Sequence, residues 1–177
     1  IPPGVVRDRD NTSSVPRQVN EQSVQICVDN LLDGDARAIY KNVDADLFNY
    51  GRLKMYFHAD SESDDDELRG FIRLGTDFTD NYYEIEIPLK VSTVSGNMSA
   101  REVWPEENEI DIDLNELTGL KVRRDREGFP LSEIYEKPEL VGRHIIRMLG
   151  RPDLSGVKLM MIGVRNPRTS DQQSHSA

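Results

Sequence analysis

The stretch that decides the fold is Asn81-Tyr82-Tyr83-Glu84-Ile85-Glu86-Ile87-Pro88-Leu89. Tyr83, Ile85 and Ile87 alternate with the residues between them, and a period of two is typical of a β-strand with one apolar face. Pro88 has no backbone donor, so it fits the end of a strand. The pattern therefore predicts a strand over residues 81–89.

The same alternation recurs along the chain in short runs that turn residues separate. Strand patterns cover residues 24–28, 36–40, 52–59, 69–74, 109–114 and 157–164. The last run is almost continuously apolar, which favours a fully buried strand. Residues 143–149 fit either a strand or a helix, because arginines recur there at every fourth position between glycines. Residues 115–121 suggest a short helical turn.

These patterns predict the fold class. Roughly eight short strands without a long amphipathic helix favour an all-β chain with minor helical turns, over an α/β fold or a barrel. We expect an antiparallel β-sandwich of jelly-roll, galactose-binding-like type. The predicted domain spans residues 20–167, after an irregular lead-in over 1–19 and before a disordered end over 168–177. The chain lacks an initiator methionine and a signal peptide, and we expect it to be a piece of something longer.

Composition narrows the function classes. The 177 residues carry a formal net charge of −10, which argues against binding a phosphate backbone. No run approaches the roughly 18–20 apolar residues of a membrane-spanning helix. The single cysteine, Cys27, excludes an internal disulfide and a zinc site built from several thiolates. We expect it to act as a small apolar residue in the 24–28 strand.

Two acidic stretches are candidate calcium sites. The run 60–67 holds six carboxylates in eight residues, among them Asp64, Asp65 and Asp66, and oxygen ligands suit a hard cation. Its spacing departs from the EF-hand, and packed like charges more often mark a solvated loop. Asp33 and Asp35, with Asp29 nearby, flank Gly34, where a plain tight turn is the alternative. No other cofactor is expected.

Candidates for catalysis and ligand binding are few. Glu84 and Glu86 share a strand face about 7 Å apart, which resembles a glycosidase pair, although a water-facing strand alternates in the same way. Trp104, with Tyr82, Tyr83 and Phe78, suggests either a sugar-stacking platform or partly buried anchors. The basic residues of 121–126 fit a loop beside acidic neighbours, or docking onto an acidic surface. No catalytic motif is present, so we expect no enzyme.

Longer segments carry a family resemblance. They are residues 20–23, 33–38, Tyr50-Gly51-Arg52-Leu53-Lys54-Met55-Tyr56-Phe57-His58-Ala59, 71–75, 81–89, Val103-Trp104-Pro105-Glu106-Glu107-Asn108-Glu109 and 156–167, which contains Met161-Ile162-Gly163-Val164-Arg165-Asn166-Pro167. Together they resemble the SprA/Sov family, the very large outer-membrane translocons of the Bacteroidetes type IX secretion system, which some members also need for gliding motility.

The resemblance implies a function without catalytic residues. Such a translocon passes folded cargo proteins and assembles with other subunits of the secretion machinery. The runs here are shorter than the roughly 10 residues of a transmembrane strand, so we expect a soluble structural or docking domain of the translocon. The expected location is the extracellular side of the outer membrane, with the periplasmic side less favoured. A carbohydrate-binding β-sandwich module is the alternative, and no nucleic-acid partner is expected.

Overall fold

The structure, a computed structural model, describes residues 9–10, 17–18, 23–93, 95–137 and 143–168. Most of the predicted lead-in over 1–19 and of the predicted disordered end over 168–177 therefore lies outside the described residues. The central prediction, a domain over 20–167, falls largely within them.

The chain is built mainly of short strands. The strands are β1 (Arg9–Asp10), β2 (Arg17–Gln18), β3 (Ala36–Ala45), β4 (Arg52–Tyr56), β5 (Arg69–Gly75), β6 (Tyr82–Pro88), β7 (Glu109–Asp113), β8 (Tyr135–Lys137), β9 (Ile145–Leu149) and β10 (Val157–Arg165). The helices are α1 (Ala100–Val103) and α2 (Leu114–Glu127), and short 3-10 turns cover Glu106–Asn108 and Leu154–Gly156.

All the strand pairs are antiparallel and form one large sheet and two small ones. The large sheet has six strands in the order β3-β10-β5-β6-β9-β8, while β4 pairs with β7 and β1 pairs with β2. The register sets five isoleucines in one row across five strands, and cross-strand pairs of β-branched residues stabilise a sheet. The row is Ile39, Ile162, Ile72, Ile85 and Ile146.

The apolar core lies on the isoleucine side of this sheet. Ile110 and Ile112 of β7 and the leucines of α2 pack there in one cluster with Ile72 and Ile85. The β4–β7 pair and α2 therefore form a second layer over the six-stranded sheet. The all-β, antiparallel, sandwich-like fold predicted from the sequence is confirmed, and its jelly-roll detail stays a prediction.

Helix α2 corrects the prediction that no long helix exists. The short turn expected over 115–121 is a helix of 14 residues. Asp113 caps its N-terminus by accepting from the backbone N–H of Asn115, and Gly128 ends it in a left-handed conformation at φ 66°. Its buried leucines form a narrow stripe, and charged residues occupy most of the remaining surface. Because charged residues outnumber the leucines, the helical period is difficult to recognise in the sequence.

Two strand predictions are wrong in detail. Residues 24–28 are extended but form no strand, and Val24 and Cys27 are exposed, because only Ile26 and Val28 reach the core. Strand β10 forms as predicted, but it is only partly buried, because it lies next to β3, the edge strand of the sheet. The ambiguous stretch 143–149 contains strand β9.

Candidate functional site

The face of the six-stranded sheet opposite the core carries a compact set of charged residues. On β5, β6, β9 and β10 the register places alternate side chains on this face, opposite one another. Arg73 lies opposite Glu84, and Glu84 lies opposite Arg147 on the next strand. We call the set the arginine–glutamate layer, and its members are Arg69, Arg73, Arg147, Arg165, Glu84 and Glu86.

Glu84 is the centre of the arginine–glutamate layer. Its side chain is almost fully buried and accepts from Arg73 Nη2 at 2.6 Å and from Arg165 Nη1 at 2.9 Å. Arg147 Nη1 donates to it at 3.2 Å. Burial raises the pKa of this carboxyl, but the three guanidinium groups outweigh burial, so the pKa is lowered overall. Glu84 is therefore ionised at neutral pH.

Glu86 extends the network toward the other end of the strands. It is buried and accepts from Arg69 Nη1 at 3.1 Å, and it also forms ion pairs with Arg147 and Arg165. Arg165 and Arg147 thus each bridge both carboxylates. Because the donors come from β5 and β9, which flank β6, and from β10 on the far side of β5, the network holds four neighbouring strands in register.

Two aromatic rings form the apolar floor of the layer. The Arg73 guanidinium lies 3.9 Å from the ring centre of Tyr82, and that of Arg165 lies 4.8 Å from the ring centre of Phe71. Both rings are buried. Gly163 makes room for Phe71, because a Cβ at this position would come within 2.6 Å of the ring. The layer therefore needs a glycine on β10.

The layer corrects two expectations about Glu84 and Glu86. The sequence suggested a water-facing strand, but arginines cover both carboxylates and leave each of them at most 2% exposed. A glycosidase acid needs a raised pKa so that it keeps a proton to donate, whereas the arginines lower the pKa of Glu84. Here the two carboxylates serve as counter-ions.

The suggested aromatic surface of Trp104, Tyr82 and Tyr83 does not form. Tyr83 lies in the core, and burial raises its pKa to about 12. Tyr82 lies under Arg73 on the opposite face of the sheet. Trp104 packs elsewhere, with its ring centre 5.5 Å from that of His58 and 6.4 Å from that of Tyr56. The sheet separates the two tyrosines because neighbouring residues of a strand point to opposite faces.

An open groove lies next to Trp104 along the chain. Its volume is about 610 Å³, and its lining residues are Arg101, Pro105, Glu106, Glu107, Glu109, Arg143 and His144. The histidine ring is held by the backbone carbonyl of Glu109 at 3.1 Å. Its lining residues carry charges of both signs.

The calcium candidates lie in two separate loops. Asp33 and Asp35 flank Gly34, and Asp35 forms an ion pair with Arg37 at 3.6 Å. Asp65 and Asp66 both contact Lys90, at 3.3 and 3.1 Å. Asp66 also pairs with Arg143, and the backbone N–H of Asp64 is held by Glu67 at 2.9 Å. Over the described ranges, no three His, Cys, Asp or Glu side chains are grouped to hold a metal ion. Calcium binding stays a prediction.

The basic cluster of 121–126 lies on α2 and not on a loop. Arg124 is buried and donates to the Gly150 carbonyl and, at 2.8 Å, to Asp125. Lys121 donates to the Pro152 carbonyl at 2.9 Å. These two cations therefore fix the turn after β9 to the helix.

Sequence reasoning missed the four arginines of the layer. Part of their signal was present, because Arg69 and Arg73 lie four residues apart on one face of the predicted strand. A spacing of four suits a strand face as well as a helix face. Only the strand order, which sets β5, β9 and β10 around β6, brings these arginines to the same carboxylates.

The fold and the layer define a two-layer antiparallel β domain in which ion pairs close the second face of the main sheet. In the part of the chain that the structure describes, no helix is both long and apolar enough to cross a membrane. The chain belongs to the SprA_N family, described as a motility related/secretion protein, whose model matches residues 1–177. No curated protein matches it. The family match confirms the resemblance seen in the sequence and makes this a motility- or secretion-related protein.

Proposed function

We propose that this chain is a non-catalytic structural and docking domain of a type IX secretion outer-membrane translocon. Its role is to hold other subunits of the machinery, or secreted cargo, during protein export and gliding motility. The observation that carries the proposal is the match of the secretion and motility family to the whole chain. The domain itself works as a soluble module on the extracellular side of the outer membrane.

The geometry supports a scaffold role. The arginine–glutamate layer joins four strands and holds the guanidinium groups of Arg73 and Arg165 over two buried rings, so the sheet face is ordered before any partner binds. The four arginine side chains of the layer are 18–29% exposed, so each still presents part of its side chain to a partner. A preorganised surface of this kind suits docking, and the ionised Glu84 gives it no proton donor for hydrolysis.

Deletion tests the proposal in the full-length protein. We expect removal of residues 23–168, replaced by a flexible linker, to leave the protein in the outer membrane but to abolish secretion of cargo and gliding. The measurements are the amount of protein in the outer-membrane fraction, cargo in the medium and colony spreading. A matched control replaces the exposed Arg126 and Arg151 by glutamate and keeps the domain. Normal secretion and gliding after the deletion would disprove the docking role.

A carbohydrate-binding module is the competing function, and Trp104 with its adjacent groove is the feature that favours it. Trp104 is the only tryptophan in the sequence, so the tryptophan fluorescence reports on the surroundings of this one residue beside the groove. We expect no quenching when a panel of surface glycans is titrated into the purified chain. Saturable quenching that Trp104→Phe abolishes would favour the carbohydrate-binding function instead.

A further inference from the structure

Strand β3 is an unusually open sheet edge. It ends the six-stranded sheet, and its outer side pairs with no strand among the described residues. It has 10 residues, whereas β8 at the opposite edge has three. Natural edges are protected by shortness, proline, bulges or charged side chains. Strand β3 contains no proline, its register shift lies near its C-terminal end, and its charged residues are Arg37, Lys41 and Asp44. Residues 36–42 are all exposed.

The side chains on one face of β3 show what this edge can pair with. Arg37, Ile39 and Lys41 share the face that carries the isoleucine row. Their neighbours on β10 are Val164, Ile162 and Met160, so that strand supplies no carboxylate to either cation. Arg37 contacts Asp35 at 3.6 Å, and Lys41 has no ion-pair partner within the described parts of the chain. This face of β3 therefore presents two cations, although the chain as a whole carries −10.

We propose that β3 binds an extended segment of a partner protein, which adds a seventh strand to the sheet. The segment carries two acidic side chains four residues apart, opposite Arg37 and Lys41, and an apolar β-branched residue between them, opposite Ile39. Four residues of strand span about 13 Å in both chains, so both ion pairs form together. The inference deepens the docking role proposed above and rests on it.

Strand addition divides affinity and specificity between backbone and side chains. The outward N–H and C=O groups of alternate β3 residues supply the hydrogen bonds, and these are independent of the partner's sequence. The acidic, apolar, acidic pattern then selects the partner and its register. The other face of β3 does not restrict the partner strongly, because it presents Ala36, Ala38 and Tyr40.

A second copy of this chain fits the edge less well. Antiparallel pairing of two β3 strands keeps each face continuous, so Arg37 and Lys41 meet only residues of their own face. Before the register shift, those residues are Arg37, Ile39, Lys41 and Val43. None of these strand residues is acidic, and the carboxylate just before the strand on this face, Asp35, already pairs with Arg37, so charge complementarity favours a different protein as the partner.

The test uses a labelled threonine-rich peptide with two glutamates four residues apart and a valine midway between them. Fluorescence anisotropy with the purified chain should show saturable binding, and a matched peptide with lysines in place of the glutamates should bind at least tenfold more weakly. Amide hydrogen exchange should slow at alternate residues of β3 when the glutamate peptide binds, because only the outward N–H groups gain partners. Equal binding of both peptides, or slowed exchange away from β3, would overturn the proposal.

Charge reversal provides the decisive variant. Arg37→Glu with Lys41→Glu should weaken the glutamate peptide about tenfold and give the lysine peptide the tighter binding. Both positions are exposed, and the matched control is Arg126→Glu with Arg151→Glu, which should change neither affinity. Unchanged peptide preference in the β3 variant contradicts the proposal, and so does a stable dimer of the free chain that the same variant dissolves.

Different experimental results would disprove the proposed function and the β3 proposal. If the double variant in the full-length protein secretes normally while deletion of residues 23–168 abolishes secretion, the docking role stands and β3 is not the docking edge. If the deletion itself is harmless, the docking role fails, whatever the peptide does in solution.

Discussion

The two faces of the six-stranded sheet are held by different forces. On the core side, an isoleucine row crosses five strands and packs under β7 and α2. On the other side, four arginines and two glutamates cross four of the same strands. Apolar burial is not directional and tolerates repacking, whereas ion pairs need every partner in place. The sheet thus gains stability from one face and a fixed register from the other.

The largest effect should come from the middle of the isoleucine row. Ile85→Ala empties a fully buried site and should lower the free energy of unfolding by about 3–4 kcal/mol. The matched control is Ile39→Ala at the exposed end of the same row, which should cost under about 1 kcal/mol. Urea unfolding followed by circular dichroism measures both. Equal losses would mean that the row does not carry the stability of this face.

Removal of the central carboxylate should have the next largest effect. Glu84→Gln leaves three guanidinium groups crowded around a neutral side chain and should cost about 2 kcal/mol, because part of each arginine remains in water. Glu136→Gln is the control, since Glu136 is exposed and, among the described residues, forms an ion pair only with Arg147. It should cost under about 1 kcal/mol. A stable Glu84 variant would show that the rings under the arginines suffice to hold the layer.

Acid should act on the charged face before it acts on the core. The folded state lowers the pKa of Glu84 below its usual 4.5, so its contribution is full above pH 4.5 and is lost as the pH falls through the folded value. Asp77, whose pKa hydrogen bonds from the 79–81 loop lower to about 2, adds to the loss between about 4 and 2. Urea midpoints at pH 7, 4 and 3 should fall more steeply for the wild type than for Glu84→Gln. Parallel curves would contradict this assignment.

Alkali should produce the smallest effect, and on the core face. Burial raises the pKa of Tyr83 from 10 to about 12, so the folded state keeps this proton while the unfolded state loses it. The contribution of Tyr83 is full below pH 10 and is lost as the pH rises through 12. An absorbance titration near 295 nm should show a late-ionising phenolate that Tyr83→Phe removes. Its ionisation together with the exposed tyrosines would place Tyr83 outside the core.

Much of the fold could be predicted from the periodicity of apolar residues. Strand β6 shows what this periodicity can predict and what it cannot. Alternation correctly predicted that Ile85 and Glu84 point to opposite sides of one strand. It predicted water over Glu84, because a polar strand face gives no sign of whether solvent or arginine covers it. The answer depends on which strands flank β6, and that order is set by long-range packing. The length of helix α2 was underestimated because the helix has only a few leucines between many charged residues, so its apolar period is weak.

The candidate site was harder to predict than the fold. The single residues were visible, but their grouping was not, because Arg73, Glu84 and Arg165 are far apart in the chain and meet only through register. Tyr82 and Tyr83 were expected on one surface, whereas adjacency in a strand separates them. In a β domain, neighbours in space are rarely neighbours in sequence, so local motifs reveal little of such a site.

The strand order has a consequence for how the chain folds. Among the described strands, β3 pairs with β10 alone in the main sheet, so Ile39 joins its row only once Ile162 is present. During synthesis β3 is made well before β10, which is the last of the described strands. Closing so long a loop is slow, and an unpaired strand is prone to aggregate meanwhile. A ribosome stalled before residue 157 would therefore hold a nascent chain with β3 unpaired and β5 at an open edge.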